Sequence, residues 1–533
     1  MSDSPVRSQD SVRPASGPGL RRILLNTISC YGRNFVEIAT LLVLTPFILE
    51  TVGKQAYGLW ALVSAWVGLL ALVDLGLGIA VVKFVADARG RGDRDGVRAL
   101  VGTIFWTYAG LGTVLFLLAT LSLLFFNQLF DIPEARRTSA RAALFLLATR
   151  SALCLPLGAF QGVLVGFQKA NIANVYRTVA LMLYFGSVLV LLGRFPDIRV
   201  LAAINLGLGI LSTGAMLAHA RATLPEVRLH PRWFDLSLIR HVFTHSMFFM
   251  IFQIAALVGT RIDSVLIQSM LNLELVAVYS IALGLATNAY LFCIQAARAL
   301  TPVLAELHGA GESDRIRRVW QTGTKHSVAF AMPLLLGLAI LADALIVAWT
   351  GPEYRLAAAA LQWLALAMVL EVIHGNTINV LGMGTAHRFL AGALCTQQVL
   401  NVGLTVAITP ALGIRGTAMA TFAATLIVHL GFLQRKAGAI HGVRPIAFYR
   451  RTLLPSLLPS IALVLGLTMV LRVWTPETLF GVGALEACGA LVFWLVYAMT
   501  GLDREERRAF VARVERALPT RIKQLSVLRI HAR

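Results

Sequence analysis

Apolar stretches of twenty or more residues follow one another along almost the whole chain, separated by short clusters rich in Arg, Gly, Asp and Pro. A helix of about 20 residues, rising 1.5 Å per residue, crosses a hydrocarbon core of roughly 30 Å. Hydrocarbon gives backbone groups no hydrogen-bond partner, so spanning segments of this length are helical. The pattern predicts fourteen of them, over 23–49, 55–83, 99–126, 140–167, 172–193, 199–221, 242–271, 275–303, 320–349, 356–383, 389–411, 413–433, 452–473 and 479–500. The longest external connection, near 127–139, is too short for a soluble domain. The expected fold class is an all-α polytopic membrane protein.

Composition strengthens this reading. Of 533 residues, 57% are hydrophobic and only 14% charged, with a mean hydropathy of +0.74; soluble chains carry about 25% charged residues. A net charge of +20 would suggest nucleic acid in a soluble protein, but here it follows the loops. Of the 47 Lys and Arg, 32 fall in the two tails and every second loop, 9 on the other side and 6 within spans. The loop after helix 2 carries Lys83, Arg89, Arg91, Arg94 and Arg98, and that after helix 12 carries Arg435, Lys436, Arg444, Arg450 and Arg451. Positive loops stay inside, so both termini are expected in the cytoplasm, with the chain in a bacterial inner membrane and no nucleic-acid partner. Residues 1–22 are rich in Ser, Pro and Arg and read as a cytoplasmic basic tail rather than a signal peptide. The segment 501–533 places Phe510, Val511, Val514 and Leu518 on one helical face among basic residues, as in helices that lie on an anionic leaflet. Cys30, Cys154, Cys293, Cys395 and Cys488 all sit in apolar segments without redox or metal spacing.

The chain repeats itself. A helix end leads to Tyr57 and again to Tyr279; VADARGRGDRDGVR from Val85 matches LAELHGAGESDRIRR from Leu304; LVGFQKAN from Leu164 resembles LGMGTAHR from Leu381. The offset stays between 217 and 222 residues, and six helices separate the copies. Two bundles of the same orientation follow, related by an axis along the membrane normal, as in many transporters. The expected organisation is a six-helix lobe over 23–221, a cytoplasmic linker over 222–241, a second six-helix lobe over 242–436, an extra helix pair over 437–500 and a tail over 501–533.

Charged residues inside spans are costly, by roughly 2.5–3.5 kcal/mol each at the helix centre on insertion scales, so each needs a reason. In helix 1, Arg33 and Glu37 stand four apart, and Asp74 of helix 2 lies at similar depth. Arg150 sits near the centre of helix 4 and Arg177 near the inner end of helix 5; helix 7 carries Arg261 and Asp263, helix 8 carries Gln295 and Arg298, and Lys325 lies just inside helix 9. These ten residues are the candidate lining of a substrate path. Arg33, Arg150 and Arg261 are the deepest cations, and guanidinium binds phosphate bidentately, so an anionic head group suits the path. There is no GxxxxGK[ST] loop, and His245 and His374 have no second ligand at metal spacing. No catalytic residue, metal or cofactor is expected.

TPFILETVG from Thr45, YGLW from Tyr57 and VDLGLGIAVVKFVADARGRGD from Val73 resemble the polysaccharide transporter family of oligosaccharide flippases. RIDSVLIQ from Arg261, LTPVLAELHGAGESDRIRR from Leu300 and NVGLTVAITPALGIRGTAMAT from Asn401 resemble it too, so the likeness covers residues 22–436. It implies the fold of multidrug and toxin extruders and lipid II flippases, working by alternating access. It implies as substrate an undecaprenyl-pyrophosphate-linked oligosaccharide, moved from the cytoplasmic to the periplasmic leaflet for O-antigen or exopolysaccharide assembly. Membrane lipids, and a polysaccharide polymerase with chain-length machinery, would be its partners. The helix pair after residue 451 departs from the twelve-helix pattern of many members and matches the lipid II flippase count. Other readings are a drug/cation antiporter of the same fold, a membrane polymerase or ligase, and a scaffold for the assembly machinery.

Overall fold

The computed structural model describes residues 20–74, 77–167, 169–224, 229–298, 300–384, 386–503 and 506–508. The architecture is all-α, and among the described residues twelve helices are long and apolar enough to cross a membrane. Two further passes are hidden in that count. The helix His387–Val428 reverses at Gly413, whose φ of 59° is open to glycine. Thr409 and Thr417 then bond side chain to side chain, and Thr421 donates to Asn401 across twenty residues, which a straight helix would hold about 30 Å apart. Helix 2, predicted as continuous, is instead divided. It runs over Lys54–Leu70, loosens into a 3-10 turn at Ala71–Asp74 and resumes over Leu77–Gly90. The sequence DLGLG explains the break, since Asp and Gly are poor helix interiors.

The fourteen passes are helix 1 (Leu20–Val52), helix 2 as above, helix 3 (Arg94–Ser122), helix 4 (Glu134–Gly166), helix 5 (Ala170–Ser187, continued through a π turn Val188–Leu192) and helix 6 (Ile198–Thr223). Helix 7 (Leu236–Met270), helix 8 (Leu273–Arg298), helix 9 (Ser313–Ile340), helix 10 (Leu356–Met383), helices 11 and 12 either side of Gly413, helix 13 (Leu454–Val473) and helix 14 (Leu479–Thr500) complete the set. Helix 7 starts six residues earlier than predicted because Asp235 caps it, accepting from Ser237 N at 2.8 Å.

The repeat is visible in the backbone. Gly92 and Gly311, 219 residues apart, both adopt φ 71° in the turn that leads into helices 3 and 9. Val85 and Leu304 are buried before those turns, and Val97 and Ile316 after them.

One apolar core gathers the helix ends farthest from the tails. It joins Leu44, Leu59 and Leu144 of the first half to Ile267, Tyr279 and Leu361 of the second. At the opposite end the cores are separate. Val85, Val97, Phe160 and Met216 form one, joined by Met250 from near the middle of helix 7; Leu304, Trp320, Leu381 and Phe448 belong to the other. Helices 13 and 14 pack on helix 9 through Leu463, Leu467, Phe493 and Tyr497. The two halves therefore share their largest core at one end, while toward the other end Met250 of helix 7 reaches the first half's own core.

Candidate functional site

The shared end is sealed by close contact. Gly58 lies against the backbone of helix 8, where a Cβ would overlap the carbonyl oxygen of Leu273 and stand 2.8 Å from its carbon. Trp349 Nε1 donates to Leu42 O at 2.7 Å, Gln268 Nε2 to Phe130 O at 2.8 Å, and Gln55 Nε2 to Glu274 Oε1 at 3.2 Å. Each of these bonds crosses from one half to the other.

Behind the seal lie the first half's charges. Arg33 Nη1 donates to Glu37 Oε1 at 2.6 Å, the i,i+4 pair expected of a helix face. Arg33 Nη2 reaches Asn34 Oδ1 at 3.2 Å. Arg177 of helix 5 lies within electrostatic reach of both members of the pair, because helices 1 and 5 pack together. Its side chain is exposed. Arg150 lies over Gly209 of helix 6, where a Cβ would come within 3.0 Å of its Nε, and that Nε is buried without a hydrogen-bond partner among the described residues. Asp74 closes the 3-10 turn of helix 2, and its side chain lies outside the described residues.

The second half treats its charges differently. Asp263 is 1% exposed and is bound by three residues: Tyr279 Oη donates to it at 2.5 Å, Asn401 Nδ2 at 3.3 Å and Thr421 Oγ1 at 3.4 Å. Arg261, two residues earlier, points to another helix face, is exposed, and lies against Gly68 of helix 2 across the seam between the halves. Arg298 lines a cavity of about 360 Å³ between helices 7, 8, 10, 11 and 12. Gln295, one turn earlier, is half-buried and outside that lining. Lys325 does not turn to this space. It is 5% exposed and bonds Glu506 Oε2 at 2.5 Å, with Asp503 3.6 Å away.

Sequence reasoning passed over the acid of this cavity. Glu371 lines it, accepts from Gln397 Nε2 at 3.2 Å and stands 3.7 Å from His429 Nε2. His374, next to it, bonds Tyr449 Oη at 3.0 Å and meets the His429 ring edge-to-face. The signal was present: an acid inside AMVLEVIHG is a functional candidate by default. Glu486 of helix 14, pressed on Gly337, was passed over in the same way. Among the described residues no three His, Cys, Asp or Glu side chains converge as a metal site would require. Among the described residues, the charges within the spans are thus arginine-weighted in the first half and mixed in the second.

The profile of the polysaccharide biosynthesis protein family matches residues 20–308, more than half of the chain. The chain belongs to that family. A relative, the uncharacterized membrane protein EpsK of Bacillus subtilis strain 168, is 19% identical over 313 residues. That match takes in 58% of this chain and 62% of the relative's length. Among solved structures, the lipid II flippase MurJ in an inward closed conformation superposes with a TM-score of 0.68 over 90% of this chain and 98% of its own, at 13% identity. A multidrug resistance MATE transporter of the MOP superfamily in its inward-facing conformation gives 0.64 over 79% and 98% at 15% identity; an outward-facing one gives 0.59 over 80% and 97%. The fold is theirs: an all-α multi-pass membrane protein of the kind both groups share.

Proposed function

We propose that this chain is a flippase for a lipid-linked oligosaccharide, carrying a polyprenyl pyrophosphate head from the cytoplasmic to the periplasmic leaflet by alternating access. The observation that carries the reading is the pairing of a sealed outer end with arginines at membrane depth. Arg261 is exposed and lies against Gly68 of the first half, and Arg177 is exposed beside the Arg33–Glu37 pair, so neither guanidinium is packed into a core. An anionic head group suits them. The lobes in this reading are 23–221 and 242–436, with the basic loops and both tails in the cytoplasm of a bacterial inner membrane. Outward movement of an anion then gains about 2.3 kcal/mol per charge per 100 mV of potential. Family membership supports a role in polysaccharide assembly, where a polymerase and chain-length machinery would take the product.

The test is a leaflet assay. Deleting the gene should leave the lipid-linked oligosaccharide on the cytoplasmic face, and Arg33→Ala or Arg261→Ala should abolish polymer export at unchanged protein level. Accumulation on the periplasmic face would reject the flippase and favour a polymerase or ligase. Glu371 on the second-half cavity favours one other reading, a cation antiporter of the same fold. Proteoliposomes that move an organic cation but no lipid pyrophosphate would establish it instead.

A further inference from the structure

A second cavity, of about 530 Å³, opens where helix 13 meets the second half. Arg415, two residues past the reversal at Gly413, and Arg472, in the last turn of helix 13, both line it. Gln362 and Trp363 of helix 10 and Thr468 of helix 13 complete its polar wall, and no acid lines it. Neither guanidinium has a hydrogen-bond or ion-pair partner among the described residues.

We infer that this crevice binds the phosphate of an anionic lipid in the outer leaflet. Helix 13 is 20 residues long, about one hydrocarbon thickness, so a residue in its last turn lies at the level of lipid head groups. Val473 is 91% and Trp474 54% exposed just beyond it, as expected of a membrane-facing edge with an interfacial aromatic. The outer side is poor in cations. Two of only nine there converge on this one crevice, and like charges brought together without a counter-charge repel one another. A phosphate resolves the repulsion and takes the bidentate geometry that guanidinium offers. Simple snorkelling would account for each arginine alone but not for their meeting. The inference rests on the outward orientation proposed above and not on transport, so its test is made without transport.

Trp363 supplies the probe. The full chain in phosphatidylcholine nanodiscs receives 10 mol% phosphatidylglycerol, or extra phosphatidylcholine, brominated near the head of the acyl chain. Quenching is assigned to Trp363 by difference from Trp363→Phe. Phosphatidylglycerol should quench at least threefold more than phosphatidylcholine. Arg415→Gln with Arg472→Gln should remove the preference, while Arg415→Lys with Arg472→Lys, which keeps the charge, should retain part of it and control for folding. Unbrominated undecaprenyl pyrophosphate that suppresses the quenching would identify a polyprenyl lipid as the occupant; failure to suppress would identify bulk phospholipid. Equal quenching by both lipids, a preference that survives the Gln pair, or suppression by water-soluble pyrophosphate as efficient as by the lipid would each overturn the assignment.

Discussion

Gly58→Ala tests whether the seal at the shared end depends on backbone contact between the halves. The added Cβ would overlap the oxygen of Leu273, stand 2.8 Å from its carbon and 3.4 Å from Ala277 N. All three are backbone atoms, so no side-chain rotation relieves the clash, and helices 2 and 8 must part by on the order of 1 Å. Overpacking of this kind costs about 1–3 kcal/mol, which converts to roughly 5- to 150-fold in a conformational equilibrium. The cost falls on the closed end and not on helix 2 itself, where Ala is the better helix former. Gln55 and Glu274 bridge the same end at 3.2 Å and are exposed, so Gln55→Cys with Glu274→Cys, joined by a short bis-maleimide, reports closure. Cross-linking should slow at least fivefold when Gly58→Ala is added, with the protein still monodisperse and helical. An unchanged rate would refute the argument that this contact holds the halves together.

Three further outcomes follow from particular contacts. Tyr279→Phe removes a hydrogen bond to the buried Asp263 carboxyl, worth about 1.5–3 kcal/mol where a charged group is involved; a lower Tm in detergent, followed by tryptophan fluorescence, checks it. Burial raises the Glu506 carboxyl, but hydrogen bonds from Lys325 and from Asp503 N–H outweigh it and leave the group below its ordinary range. A lowered carboxyl stabilises above the unfolded pKa and loses that contribution as pH falls through the folded value, so hydrogen exchange near Glu506 should quicken only under acid conditions. Glu506→Gln should loosen the same segment at neutral pH and speed tryptic cleavage at Arg507 and Arg508. Asp197 caps helix 6 at Arg199 N and accepts from Ser139 Oγ at 3.0 Å; Asp197→Ala should cost about 0.5–2 kcal/mol, read as a lower Tm.

What the sequence disclosed depended on the range of the cause. Spans, turn glycines and the Arg33–Glu37 pair are local, and periodicity or an i,i+4 spacing is enough to see them. The fate of Asp263 was not local. Its partners Asn401 and Thr421 lie 138 and 158 residues away, so nothing near RIDSVLIQ distinguished a sequestered carboxyl from one lining the path. Lys325 is bonded by Glu506, 181 residues on, in a tail that read as a surface helix. Helix 2 failed for the opposite reason: its break is local, at DLGLG, but lies inside a stretch whose unbroken apolar character predicts one continuous span. Glu371 was simply overlooked among the more numerous arginines.

The two halves share their turns and not their side chains, and this bears on how the seal can open. Gly92 and Gly311 keep the same positive φ because any Cβ there would be strained. Side chains within the spans carry no such constraint, and by the repeat's offset Arg33 corresponds to Phe252 and Asp74 to Cys293. At the closed end, the Gln55–Glu274 bond is exposed and solvent-exposed pairs contribute little. The main resistance to opening is therefore apolar: Leu44, Leu59, Tyr279 and Trp349 in one core, with Gly58 allowing the close approach. Apolar contact is non-directional, so it can be remade in another register as the halves rock. A seal of salt bridges would instead have to leave buried charges unpaired each time it opened. A seal held chiefly by apolar contact avoids that cost.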